Sequence, residues 1–284
     1  MGLKTLSQNI CYEGSVGIYR HNAAETACSM KFSVFIPPQA QEGPVPVLTF
    51  LAGLTCSEET FMVKAGAQRL AAKLGLMLVA PDTSPRGEEV PDDPNGDWDF
   101  GLAAGFYLDA TQKPWATNYR MYSYITKELP AIIAEEFPAD MNRQGIFGHS
   151  MGGHGALTIA LKNPTQYKSV SAFAPISAPM RCPWGDKAFS NYLGEDRTVW
   201  RGYDASELML ELKDVGERAP ILIDQGKDDP FLADQLHPGQ LELACKEVGY
   251  PITCRYHAGY DHGYYFISTF IDDHLKHHAE FLGI

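Results

Sequence analysis

Positive charge is scarce in this sequence: 23 Lys and Arg stand against 35 Asp and Glu, for a formal net charge of −12. A nucleic-acid or anionic-membrane surface is thereby excluded, because both need a basic footprint. An anionic substrate has to be met by individual Lys or Arg side chains against an unfavourable background field. Long apolar runs are also missing. No stretch approaches the roughly 18 apolar residues of a membrane span, and no apolar segment follows the start Met1-Gly2-Leu3-Lys4-Thr5-Leu6. Leu6 stands where a myristoylation motif needs Ser or Thr. These absences predict a cytoplasmic protein with no signal peptide. The six cysteines, at 11, 28, 56, 182, 245 and 254, form no C-x-x-C pair. A structural zinc site is not expected, and scattered thiols in a chain of this size read as reduced.

What is present is ordinary globular composition, 45% hydrophobic and 20% charged over 284 residues. That fits one large α/β domain spanning 1–284, with no repeats, low-complexity tracts or linker. Apolar runs alternate with helical patterns, which predicts a mostly parallel sheet covered by helices on both faces. Strands are predicted at Met30–Ile36, Val45–Ala52, Leu76–Ala80, Gln144–His149, Ser169–Ala174, Pro220–Gln225 and Ile252–His257. Helices are predicted at Ala65–Leu74, Asn118–Glu136, Met151–Lys162, Leu236–Val248 and Tyr264–Phe281. Two long excursions, 83–117 and 175–218, are rich in Gly, Pro and aromatics and sit where an open α/β sheet binds its ligands.

Gly148-His149-Ser150-Met151-Gly152 matches G-x-S-x-G. Alone the pattern is weak. Its context is the apolar strand before it and the helix Gly153–Lys162 after it, the strand–turn–helix of an α/β-hydrolase nucleophile elbow. No Gly-Lys-Ser/Thr follows, so a phosphate loop is the poorer reading.

A serine hydroxyl needs a base in reach, and the base needs an orienting acid. In this fold the chain order is Ser, then Asp or Glu, then His. His262 follows the last strand and directly precedes the last helix, where the fold presents its base. His21 comes too early, His149 and His154 are bound up with the elbow, and His237 and His257 fall at other places. His274, His277 and His278 read as a solvated helix end that complements the dipole. For the acid, the loop Gly226-Lys227-Asp228-Asp229-Pro230 offers two aspartates, and Asp229 is favoured over Asp228 by spacing. The oxyanion hole is expected from the backbone N–H groups of Met151 and Leu54, the latter in the loop after the strand Val45–Ala52.

Gly53-Leu54-Thr55-Cys56, Trp98-Asp99-Phe100-Gly101, Asn118–Tyr124, Gly148–Gly155, Cys182-Pro183-Trp184-Gly185, Asp224–Leu232 and Gly259-Tyr260-Asp261-His262 together resemble the S-formylglutathione hydrolases, the esterase D group. The likeness runs over nearly the whole chain, in order. It implies a cytoplasmic thioesterase that hydrolyses S-formylglutathione to formate and glutathione in formaldehyde removal. It also implies a triad of Ser150, Asp229 and His262, no cofactor, and often a homodimer; the residues themselves predict no metal. Cys56 matches a family cysteine near the active site. Gly263, where the family usually has Ser, and Ala178, where Asn is common, depart from the pattern.

Trp98 and Trp184, one in each excursion, are candidates to wall the substrate groove, with packing under long loops as the plain alternative. Cys56 is a third candidate there, against a small buried apolar residue. Two other functions stay open on sequence alone. One is a general short-chain carboxylesterase or acyltransferase on the same fold; the other is a non-catalytic binding protein that kept the scaffold.

Overall fold

The computed structural model describes residues 2–216 and 218–284; Met1 and Glu217, the latter inside the second excursion, lie outside it. Nine strands form one sheet in the order β1-β2-β3-β5-β4-β6-β7-β8-β9. β1 (Lys4–Cys11), β2 (Gly14–Ala23) and β3 (Cys28–Ile36) are an antiparallel meander. β3 runs antiparallel to β5 (Met77–Pro81). From there β4 (Val45–Leu51), β6 (Ala139–His149), β7 (Tyr167–Phe173), β8 (Ile221–Gly226) and β9 (Ile252–His257) are all parallel.

The central strands are the expected ones because both their faces are covered. β4, β5 and β8 are buried at every position, which leaves continuous apolar runs in the sequence. The sequence reading passed over β1 and β2. β1 is an edge strand, Lys-Thr-Leu-Ser-Gln-Asn-Ile-Cys, with no fully buried residue. Without a buried face it has no alternation to read.

Two expected helices differ in detail. The helix expected over 65–74 is the shorter α2 (Gln68–Leu74), preceded by a further helix α1 (Glu58–Lys64) and parted from it at Gly66, which adopts φ +71°. The expected helix over 118–136 is a short turn α3 (Met121–Ser123), a wide π-type turn at Tyr124–Glu128, and α4 (Leu129–Glu136). Pro130 lies in the first turn of α4. It has no N–H to bond back, and its ring crowds the carbonyl four residues earlier, so the preceding turn opens.

α5 (Met151–Lys162) packs on β4, β6 and β7, and the excursions close over it. Excursion 83–117 buries Phe100, Phe106, Tyr107 and Leu108. The Tyr107 hydroxyl donates to Ala52 O at 2.9 Å, and His154 of α5 bonds Phe106 O at 3.0 Å. Burial lowers the His154 imidazole to about 4. Excursion 175–218 carries α6 (Pro183–Leu193), α7 (Arg197–Trp200) and α8 (Ala205–Leu210). The chain ends through α9 (Pro238–Val248) and α10 (Tyr264–Leu282), which lies against β6, β7 and β8.

The histidines of α10 correct a sequence expectation. His274 and His278 are fully buried rather than solvated, and His277 is partly so. Their i, i+4 spacing puts His274 and His278 on one face, and that face meets β7 and β8. His274 Nε2 lies 3.1 Å from the buried Asp224 carboxylate and its Nδ1 lies 2.8 Å from Ser171 Oγ. His278 bridges Ser171 Oγ at 2.8 Å and Ser169 Oγ at 2.6 Å. Neutral rings satisfy the whole chain. His274 donates to Asp224 and accepts from Ser171; His278 donates to Ser171 and accepts from Ser169. Burial works to raise the Asp224 carboxyl, but hydrogen bonds from His274, Arg255 and His257 outweigh it and hold it well below the usual range.

A pH dependence of stability follows. Burial lowers the imidazoles of His149, His154, His274, His277 and His278. The unfolded chain binds protons below roughly pH 6.5 that the native protein refuses, so stability is full above that pH and falls as acid is added. Each such histidine costs about 1.4 kcal/mol per pH unit below roughly 6.5 until its folded value is reached. Calorimetry between pH 7.5 and 5.5 checks this: the midpoint should drop steadily below pH 6.5, and a flat profile contradicts neutral burial.

Candidate active site

β6 ends at His149, and Ser150 takes φ +57° and ψ −119° before α5 begins. This is left-handed backbone for a residue with a side chain, a strain of about 1–3 kcal/mol held only because its surroundings fix it. Part of what fixes it is the Ser150 N–H, which donates to Phe173 O of β7 at 3.0 Å. The elbow also presses against β4. A Cβ on Gly152 would collide with the backbone carbonyls of Leu51 and Ala52, and one on Gly53 would sit 3.1 Å from Ser150 Cβ. Glycine at both positions lets two strand ends approach the serine.

β8 leads into the loop that holds both candidate aspartates. Asp228 is exposed, whereas the Asp229 side chain is fully buried. Asp229 Oδ2 lies 2.6 Å from His262 Nδ1 and accepts from Gln225 Nε2 at 3.2 Å; Oδ1 accepts the Phe231 N–H at 2.9 Å. His262 stands at the turn between β9 and α10, and the Gly263 N–H donates to Asp261 Oδ1 at 2.8 Å. Gly263 keeps extended backbone as the residue before α10. The imidazole is packed between the His149 ring at 4.4 Å and the Phe231 ring at 5.0 Å. His149 is held neutral first by burial and then by its proximity to His262.

Ser150, His149 and His262 line one cavity of about 260 Å³ with Gly53, Leu54, Thr55, Trp98, Trp184 and Phe231. Trp98 and Trp184 meet edge to face at 5.6 Å. The structure therefore brings both excursions to the serine. Met151 opens α5, so its N–H is one of the helix's unpaired donors. The Leu54 N–H has no backbone acceptor among the described residues, although Thr55 and Cys56 do. Cys56 lies outside the lining. Burial raises its thiol, an effect only partly offset by Thr60 and Tyr264, so it lacks the thiolate character of a reactive cysteine. Ala178 precedes the turn Pro179–Arg181 and is fully buried, away from that lining.

Sequence reasoning passed over Phe231 and the packing role of His149. Phe231 was legible as the residue two beyond the acid, whose N–H can return to that carboxylate. The contact of His149 with His262 joins residues over a hundred positions apart and left no local signal. Among the described residues, no group of three or more His, Cys, Asp or Glu is arranged to hold a metal. No helix among them is long and apolar enough to cross a membrane.

Comparison with known proteins gives the family and the fold. The Esterase family matches residues 23–277. An S-formylglutathione hydrolase of Rattus norvegicus is 52% identical over 284 residues, covering all of both chains, and one of Mus musculus is 53% identical over the same span. The chain belongs to the S-formylglutathione hydrolase family. A solved S-formylglutathione hydrolase of Agrobacterium tumefaciens superposes with a TM-score of 0.95 at 52% identity, over 98% of this chain and 99% of that one. The family resemblance drawn from scattered motifs thus extends to the whole fold, including the strands β1 and β2 that sequence patterning missed.

Proposed function

We propose that this protein hydrolyses S-formylglutathione to formate and glutathione, with Ser150 as nucleophile, His262 as base and Asp229 as the acid that orients it. The observation that carries this reading is the 2.6 Å contact of His262 Nδ1 with Asp229 beside a strained Ser150 in the same cavity. With Nδ1–H given to the carboxylate, Nε2 is left as the acceptor that a serine proton needs.

Ser150 Oγ attacks the thioester carbonyl as His262 takes its proton. The oxyanion is received by the N–H groups of Met151 and Leu54, each such donor being worth roughly 3 kcal/mol. Collapse expels a thiolate, whose conjugate acid has a pKa of about 8.5, so departure needs little help from the imidazolium. The imidazolium gives its proton to the departing sulfur; neutral His262 then takes a proton from the water that attacks the formyl ester, and passes it to Ser150 Oγ as formate leaves. No metal or cofactor enters these steps. The substrate is a small molecule; neither nucleic acid nor a membrane has a part. The same reading takes 1–284 as one domain, which the single sheet supports, and places it in the cytoplasm, as the resemblance implies. It takes the working form as a homodimer, as the resemblance implies, which sedimentation would test.

The acyl end sits against Ser150, which is nearly buried, under the close approach of Gly53. Short acyl groups should therefore be preferred. The test is kcat/KM for glutathione thioesters of formyl, acetyl, propionyl and butyryl groups. Formyl should lead and each added methylene should lower the constant, with about 1–3 kcal/mol of discrimination per group. A maximum at butyryl, or no turnover of S-formylglutathione at all, overturns the assignment.

A further inference from the structure

Trp98 rides at the tip of a turn that its own residues build. Asp93 is buried and accepts the N–H groups of Asn95 and Asp97 at 3.0 and 3.3 Å. The base of the turn is anchored in the aromatic core. Gly101 N–H donates to the Tyr192 hydroxyl at 3.1 Å, which donates in turn to Ala104 O at 3.0 Å. The tip, residues 94–98, is exposed. Its side chains are tied to α6 by an ion pair of Asp97 with Lys187 and a ring contact of Trp98 with Trp184.

Both partners come from one turn of α6. Trp184 and Lys187 are three residues apart and so share a helix face. Lys187 Nζ meets Asp97 at 2.7 Å, Asp99 at 2.5 Å and Asp93 at 3.7 Å. The aspartates at 97 and 99 flank Trp98 in the sequence. One ammonium thus gathers three carboxylates that would otherwise repel one another, and the indole between two of them is set over the mouth of the cavity.

We propose that Lys187 is a positioning residue for the leaving group: its ion-pair cluster fixes Trp98 against Trp184 as a wall for the thiol portion of the substrate. This rests on the hydrolase reading above. Ser150 is 3% exposed and Trp98 is 54% exposed. A small acyl group at the serine therefore directs the larger thiol moiety outward past Trp98. Lys187 touches no reacting atom. Its loss weakens binding of the extended thiol and leaves the chemical step intact, which appears in KM rather than kcat. The cluster is partly exposed, so salt weakens it too.

The test compares wild type with Lys187→Met and Lys187→Arg, using S-formylglutathione and a short ester of a small alcohol. Lys187→Met should raise KM for S-formylglutathione about fivefold, the scale of an exposed ion-pair cluster, with kcat within about twofold. The small ester should be unaffected, and Lys187→Arg should restore most of the loss. Added salt should raise the wild-type KM toward that of the variant. Hydrogen exchange of the backbone over 93–101 gives a second readout that needs no substrate, and protection there should fall in Lys187→Met and not in Lys187→Arg. Unchanged exchange together with unchanged KM overturns the proposal. Equal loss on both substrates with a lowered melting temperature assigns Lys187 a merely structural role and overturns it as well. Failure of the wild type to turn over S-formylglutathione would instead count against the hydrolase reading, and the exchange comparison would still decide whether Lys187 holds the tip.

Discussion

Ser150→Ala should lower kcat for S-formylglutathione by about four to six orders of magnitude while the protein stays folded. The size of the loss follows from the cavity. Among its lining residues, Ser150 is the one whose hydroxyl shares the site with a carboxylate-bound imidazole. Thr55 also lines the cavity, but it stands in the loop after β4 and not at the strand-to-helix turn between β6 and α5. With the hydroxyl gone, what remains is direct attack by water, helped by the oxyanion donors and by substrate binding. The surrounding structure should barely notice. The strained backbone is set by the Ser150 N–H to Phe173 and by the glycines around it, none of which depends on Oγ. Steady-state assays, a melting curve and labelling by a fluorophosphonate probe check the three parts. A purified variant that keeps more than about 1% of wild-type turnover would place the nucleophile elsewhere.

Asp229→Asn should cost about three to four orders of magnitude in kcat near neutral pH, and Asp228→Asn less than about twofold. Three donors converge on Asp229: His262 Nδ1 and Gln225 Nε2 on one oxygen, and the Phe231 N–H on the other. An amide offers only one acceptor. If its NH2 faces His262, the imidazole must turn to the wrong tautomer and its proton moves to the nitrogen that should receive one from serine. If the amide flips, the Phe231 N–H is left facing a donor, and the ring that flanks His262 loses its anchor. Either orientation is buried and neither is relieved by water. Asp228 is exposed, and its main contact is a backbone N–H to Tyr260 O at 3.0 Å, which the substitution does not touch. Comparable losses in the two variants would dissolve the distinction between these aspartates.

The reach of sequence reasoning can be traced through particular residues. The elbow was legible because its requirements are local. A strand, a serine between glycines and a helix must be contiguous, and they are. His262 and Asp229 were legible by order along the chain, since a parallel sheet presents one loop after each strand at the same edge. Asp229 over Asp228 was a spacing argument that the burial of Asp229 now supports. The α10 histidines were misread because burial belongs to the partner surface. His274 and His278 look like a polar helix end until Asp224, Ser169 and Ser171, 50 to 109 residues away, are placed opposite. The wide turn before Pro130 carried a local signal in the proline itself, yet its width depended on how the backbone was relieved.

Taken alone, the sequence determined the class of fold, the order of the parallel strands' contributions and the chemical types at the site. All of these are written in periodicity, glycine placement and chain order. Tertiary structure alone decided that His149 and Phe231 pack on the imidazole, that Cys56 is not among the cavity's lining residues, and that one lysine draws three aspartates around Trp98. The physical reason is the same in each case. Hydrogen bonds, ring contacts and ion pairs act over a few ångströms of space, and nothing in the local pattern of a chain reports which distant residue will occupy that space.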